Sequence, residues 1–119
     1  MSPELEKILY DDFNSLFANR DNRHSPMVFG IECGDGWHNI IRAACKEIAE
    51  HECLQPFVFS QVKEKFGTLR LYHDGGDSFC DGVVEMAEAM SAVTCERCGS
   101  PGTPNDAGWI STLCEGCRK

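Results

Sequence analysis

At 119 residues the chain has room for one domain with a modest core. Apolar residues make up 42% and charged residues 25%, an ordinary globular balance, and no run is long and apolar enough to span a bilayer. A net charge of −8 argues against a general nucleic-acid binder, which needs a basic footprint to release counterions from phosphates.

Ser2-Pro3 reads as a helix start, with serine as the cap and proline at the first helical position. Leu5, Ile8, Leu9, Phe13, Leu16 and Phe17 then recur at helical spacing, with Glu4, Glu6, Asp11 and Asp12 on the opposite face. This predicts one helix ending near Ala18 to Arg20. The polar stretch Asp21 to Pro26 is a loop, and Arg20, Arg23 and His24 read as solvated cations there. Met27 to Ile31 is expected to form a short strand. Cys33-Gly34-Asp35-Gly36-Trp37 is a turn into a second helix, from about Trp37 to His51. Its apolar stripe is Ile40, Ile41, Ala44, Cys45, Ile48 and Ala49; Arg42, Lys46, Glu47 and Glu50 take the wet side. A tryptophan at such a start buries a large apolar area and is expected to staple the core.

Gln55-Pro56 breaks the chain. Phe57 to Lys63 and Thr68 to His73 read as strands, joined as a hairpin by Glu64-Lys65-Phe66-Gly67. Alternation sets Leu69 and Leu71 on one face and Arg70 and Tyr72 on the other. If Lys63 and Lys65 share the side of Arg70, three cations stand beside Tyr72, a set able to grip a phosphate or a carboxylate. Ordinary outward charges balancing an acidic protein are the simpler reading of these four residues. Asp74-Gly75-Gly76-Asp77 is a turn. A third helix, roughly Ser78 to Val93, repeats Phe79, Val83, Met86, Met90 and Val93 at steps of four and three. Asp77, Asp81, Glu85 and Glu88 cluster on its opposite side, within an arc of about 80°. No lysine or arginine occurs from Asp74 to Val93. The stripe is either a solvated face or a docking face for a basic partner, since a single-sign field steers association.

The last quarter carries the strongest signal. Cys95, Cys98, Cys114 and Cys117 form C-x2-C-x15-C-x2-C, the spacing of a zinc ribbon. Two residues between paired cysteines let both sulfurs of a tight turn face one ion. Four thiolates suit one structural Zn2+ and leave no open position for a catalytic water. Disulfides need an oxidising compartment, and the start Met-Ser-Pro-Glu-Leu-Glu has no apolar core of secretory length, so a cytoplasmic protein is expected. Cys33, Cys45, Cys53 and Cys80 read as free thiols or small buried apolar groups. In the tail, Ser100 to Gly108 is loop and Trp109 to Leu113 strand, with Trp109 or Leu113 packing the ribbon onto the rest; Arg118-Lys119 are expected to end the chain as free cations. The fold expected is α+β: helices on a small antiparallel hairpin sheet over 1–93, with a zinc ribbon over 94–119 packed on it.

The phrase Gln61-Val-Lys-Glu-Lys-Phe-Gly67-Thr-Leu-Arg-Leu-Tyr72 is followed by Thr94-Cys-Glu-Arg-Cys-Gly-Ser-Pro-Gly102 and Gly108-Trp-Ile-Ser-Thr-Leu-Cys114. Together these resemble a group of small proteins common in phage and prophage genomes. That group carries a "VKEKFG-LR-Y" hairpin, a helix, and a zinc-ribbon tail with Gly-Trp before the last ligands. Gly36-Trp37 and the helix after it are similar too, so the likeness covers most of the chain from about residue 30. Thr68 departs from the pattern, standing in place of a second glycine, and Cys114 and Cys117 rest on spacing alone. The resemblance implies a mobile-element origin and a helix–hairpin–helix body with a ribbon; it implies no reaction.

Three function classes follow. The first is a non-enzymatic module that binds a host protein, with anti-CRISPR-like or other inhibition of a host defence complex as the target class, because the nucleic-acid grooves of such complexes are basic. Asp77, Asp81, Glu85 and Glu88 would then face the partner, in the host cytoplasm. The second is a nucleic-acid accessory or regulatory protein using Lys63, Lys65, Arg70, Tyr72, Arg97, Arg118 and Lys119, a reading that the charge balance disfavours. The third is an enzyme. No Ser-His-Asp order, phosphate loop or His-Glu metalloprotease motif is recognisable, and no His-x-Glu precedes the cysteine pairs as a zinc deaminase requires. A non-enzymatic role is therefore expected.

Overall fold

A computed structural model describes residues 1–119. Helix α1 (Pro3–Asp12) starts as predicted: Leu5 N–H donates to Ser2 Oγ, and Glu4 and Glu6 sit in the first turn. It does not run on to Arg20. At Phe13 the backbone leaves helical geometry (φ −131°, ψ 45°), and the chain resumes as a 3-10 helix over Asn14–Asp21. Tertiary contacts hold this second segment. The Arg42 guanidinium lies over Phe13, and Phe17 is fully buried and stacks on Phe59 with ring centroids 4.9 Å apart. Nor is Met27 to Ile31 a strand. Ser25 caps a 3-10 turn over Pro26–Phe29, in which proline presets the helical φ, and β1 is only Ile31–Glu32.

Helix α2 (His38–Glu50) buries Ile40, Ile41, Ala44, Cys45 and Ile48, while Ala49 lies outside the stripe and is exposed. Trp37, at its start, is fully buried. Strands β2 (Val58–Lys65) and β3 (Thr68–Asp74) form the hairpin, and β1 pairs parallel to β2 through α2, giving the order β1-β2-β3. The sheet is therefore mixed rather than a bare hairpin. The turn residues Phe66 (φ 53°) and Gly67 (φ 84°) both take left-handed backbone, the geometry a two-residue loop needs to follow the strand twist. Val62, Leu69 and Leu71 point into the core; Lys63 pairs with Arg70, and Gln61 with Tyr72, on the face away from it.

Helix α3 (Ser78–Ser91) is capped by Asp77. It packs through Cys80, Val84, Ala87 and Ser91; of the stripe of larger side chains, Val83 alone also rests against the core. Phe79, Met86 and Met90 are 43%, 63% and 46% exposed, and Val93 just beyond is also open. The helix seals the edge of β3 with side chains: Leu69 N–H donates to Ser91 Oγ (2.8 Å) and Leu71 N–H to Glu88 Oε2 (2.9 Å). The tail is a small ribbon. Strands β4 (Thr103–Pro104) and β5 (Thr112–Leu113) pair antiparallel, and a single turn, α4 (Glu115–Arg118), follows.

Candidate functional site

Two tight turns build the cysteine cluster. In the first, Gly99 N–H donates to the Cys95 carbonyl (2.9 Å) and Gly99 takes φ +83°. In the second, Cys114 precedes α4, and Cys117 N–H donates to Cys114 Sγ at 3.4 Å. The four Sγ atoms all lie within 4.8 Å of one another, and Cys98 and Cys114 are 3.6 Å apart. A tetrahedral ion with bonds of about 2.3 Å sets its sulfurs about 3.8 Å apart, so the cluster fits one metal ion. A disulfide would bring two sulfurs to about 2.05 Å, which the Cys98–Cys114 separation rules out for that pair.

The electrostatics agree. Burial alone would raise the Cys95 thiol, but N–H groups of Cys114, Cys98 and Arg97 outweigh it and hold the thiol at about 6. Hydrogen bonds with the side chains of Cys114, Cys98 and Cys95 keep the proton on Cys117, raising it to about 12, and a divalent cation held by the four sulfurs would displace that proton. Two cations close the outer side by binding carbonyls. Arg97 donates to Cys117 O (3.0 Å) and Arg118 to Leu113 O (3.2 Å) and Thr103 O, so Arg118 is not the free end expected of it.

The cluster is bolted to the body. Gly36 N–H donates to the Glu96 carbonyl (2.7 Å), Gly34 N–H to Glu96 Oε2 (2.9 Å), and Trp37 Nε1–H to Thr94 O (2.9 Å). A Cβ on Gly36 would strike the Cys95 carbonyl oxygen, so glycine is required at that approach. On the far side Thr112 Oγ1 donates to Gly67 O (2.6 Å), joining ribbon to hairpin tip. Leu113 is buried while Trp109 is 84% exposed, so leucine, not tryptophan, packs the ribbon.

Of the other residues singled out by sequence, the hairpin set does share one face. Lys63 stands opposite Arg70, Lys65 opposite Thr68 and Tyr72 opposite Gln61, and Glu32 lies beside Lys63 on β1. The acidic stripe of α3 is largely engaged within the molecule. Asp77 caps the helix and lies 2.7 Å from His51 Nε2; Asp81 is 3.5 Å from His73; Glu88 accepts from β3. Glu85 alone has no such partner. The hydrogen bond from His51, then that from Cys80 N–H, holds the Asp77 carboxyl below its usual range against some burial.

A second feature escaped the sequence reading. The His51–Asp77 pair joins the end of α2 to the start of α3, and Trp37–Thr94 joins the opposite ends, so the helices run antiparallel. Between them lies an apolar groove of about 440 Å3, lined chiefly by Ile40, Ala43, Phe79, Val83, Met86 and Met90. Its sequence signal was present: α3 carries two adjacent apolar stripes, and only one can face the core. No known protein family matches the chain, and no curated protein or solved structure does either.

Proposed function

We propose that the chain is a non-enzymatic, zinc-stapled protein-binding module of phage type whose partner is a host protein, with a defence complex as the target class. The observation that carries the binding reading is the open apolar strip of α3. A folded chain of this size has little reason to leave Phe79, Met86 and Met90 in water unless something covers them. Four thiolates with soft, tetrahedral donors favour Zn2+ in the cluster, where it staples the fold. The phage assignment rests on the hairpin and ribbon phrases of the sequence. With Asp77 and Glu88 hydrogen-bonded within the chain, the α3 acidic stripe is a poorer docking face than the strip beside it. The test is affinity capture from host lysate, with and without nuclease. A stoichiometric protein that survives nuclease and is lost with Met86→Glu supports the reading; retention of the same proteins by that variant refutes it.

A second reading, nucleic-acid binding, is favoured by one observation. Phe66, at the hairpin tip, is 70% exposed with the Lys65 ammonium over its ring, and aromatics among cations are the parts of a single-strand platform. Phe66 holds left-handed backbone that costs a non-glycine residue, and strain of this kind is often kept for function. It requires binding to a labelled single strand that weakens steeply with salt and with Lys63→Glu.

A further inference from the structure

We infer that the α2–α3 groove receives a basic amphipathic helix supplied by the partner, and not a second copy of this chain. The inference rests on the protein-binding reading and adds the chemistry of the occupant. The first argument is shape. The floor is made of the buried Ile40 and Ala44 of α2 and Ala87 of α3, and the exposed Phe79, Met86 and Met90 form the α3 wall. From Phe79 to Met90 the α3 wall spans about 16 Å at 1.5 Å per residue, the length of roughly three helical turns. A trough of this length and width suits a helix inserting side chains at i, i+3 or i+4, and i+7. Unbranched methionines adapt their shape to such anchors.

The second argument is charge. The cations of α2 are already engaged: Arg42 pairs with Asp12 at 2.8 Å and Lys46 with Glu50 at 3.8 Å. Helix α3 has none. Glu47 lines the groove from α2 and has no ion-pair partner, and no lysine or arginine lines it. The charge on the groove is thus an open acid. Two copies meeting here would bring both Glu47 carboxylates to one interface, in chains that each carry −8. Lysines or arginines flanking an inserted apolar stripe would meet Glu47 and the negative field of the chain.

The groove is also held in shape. Phe79 stacks on His51 with centroids 4.2 Å apart at one end, and the Trp37–Thr94 hydrogen bond fixes the other beside the cysteine cluster. A surface arranged before binding loses less entropy on association.

The experiment uses the full zinc-loaded chain and three synthetic helical peptides. The first has leucine at i, i+3, i+4 and i+7 with lysines elsewhere. The second replaces each lysine by glutamate. The third keeps the lysines and replaces the leucines by serine. Titration calorimetry is expected to give one-to-one binding of the first peptide, at least about tenfold tighter than either other. Met86→Glu should weaken it by about tenfold or more, and Glu47→Lys should shift the preference toward the acidic peptide. Circular dichroism confirms that the variants stay folded. Equal binding of the first and third peptides, or binding indifferent to Met86, overturns the inference. So does sedimentation of the chain as a dimer that Met86→Glu dissociates. The outcomes separate from those of the broader reading: a host protein captured through Met86 whose cross-linked segment lacks a basic helix leaves the protein-binding reading standing and removes this one. Peptide recognition as expected, with no host protein captured, keeps the preference of the groove for a basic helix and removes the host protein as its source.

Discussion

Single side chains in this fold serve several partners at once. Ser91 is fully buried in α3; its hydroxyl donates to the Glu88 carbonyl (2.6 Å) and accepts from Leu69 N–H (2.8 Å). Ser91→Ala leaves that N–H without a partner in the interior and should cost about 1–3 kcal/mol, read as a lower urea midpoint with unchanged slope. Asp77 is a case for pH. Its carboxyl is lowered in the folded state, chiefly by the His51 hydrogen bond. A lowered acid stabilises above the ordinary carboxylate range, and that contribution is lost as pH falls through the lowered value. Asp77→Asn keeps a good cap but loses the charge. The gap in melting temperature between the two chains should therefore be present at neutral pH and close in strong acid, where loss of bound metal affects both alike. The four cysteines were legible from spacing because a ligand turn is local. The His51–Asp77 pair was not, because it joins residues 26 apart and exists only once α2 and α3 lie antiparallel.

At the scale of elements, helix and strand periods located α2, α3 and the hairpin well, because each has a run long enough for its pattern to repeat. The losses came where tertiary contact overrides local pattern. The apolar spacing from Leu5 to Phe17 is helical throughout, yet the chain breaks at Phe13, whose ring lies under Arg42, and Phe17 beyond the break stacks on Phe59. The large residues of α3 carry its strongest apolar period, yet the helix buries Cys80, Val84, Ala87 and Ser91 instead. The hairpin turn permits a direct test. Phe66 at φ 53° stands where asparagine is favoured, and its ring is mostly in water, so little packing offsets the backbone cost. Phe66→Asn should raise stability by about 1 kcal/mol, seen as a higher melting temperature. If the hairpin tip also binds nucleic acid, the same change stabilises the chain and weakens that binding, separating the two roles of one residue.

For the whole molecule, the question is whether the ribbon over 94–119, expected from sequence to pack on the body over 1–93, folds as part of it or as a separate unit. The contacts favour the first. Glu96 is gripped by Gly34 and Gly36, Trp37 by Thr94, and the hairpin tip by Thr112. The first cysteine turn thus sits against the start of α2 and directly follows α3, and the ribbon's second strand braces the hairpin. Metal binding contributes folding free energy, since the unfolded chain has no assembled site. Its removal should then loosen the junction that sets both helices, not only the last 26 residues. The two tryptophans report this separately, because Trp37 is fully buried and Trp109 is already 84% exposed. On addition of a strong chelator, or in Cys98→Ser, the buried Trp37 emission should shift to the red, and the body should melt at a lower temperature in one transition. A Trp37→Phe control isolates the small signal of Trp109. If chelation leaves the Trp37 emission and the main melting transition unchanged, the ribbon is an independent appendage. The α2–α3 groove would then hold its shape without metal, and peptide binding would survive the chelator. If body and ribbon melt together, groove binding must fall with the metal, which makes occupancy of the cysteine cluster a control on what the groove can recognise.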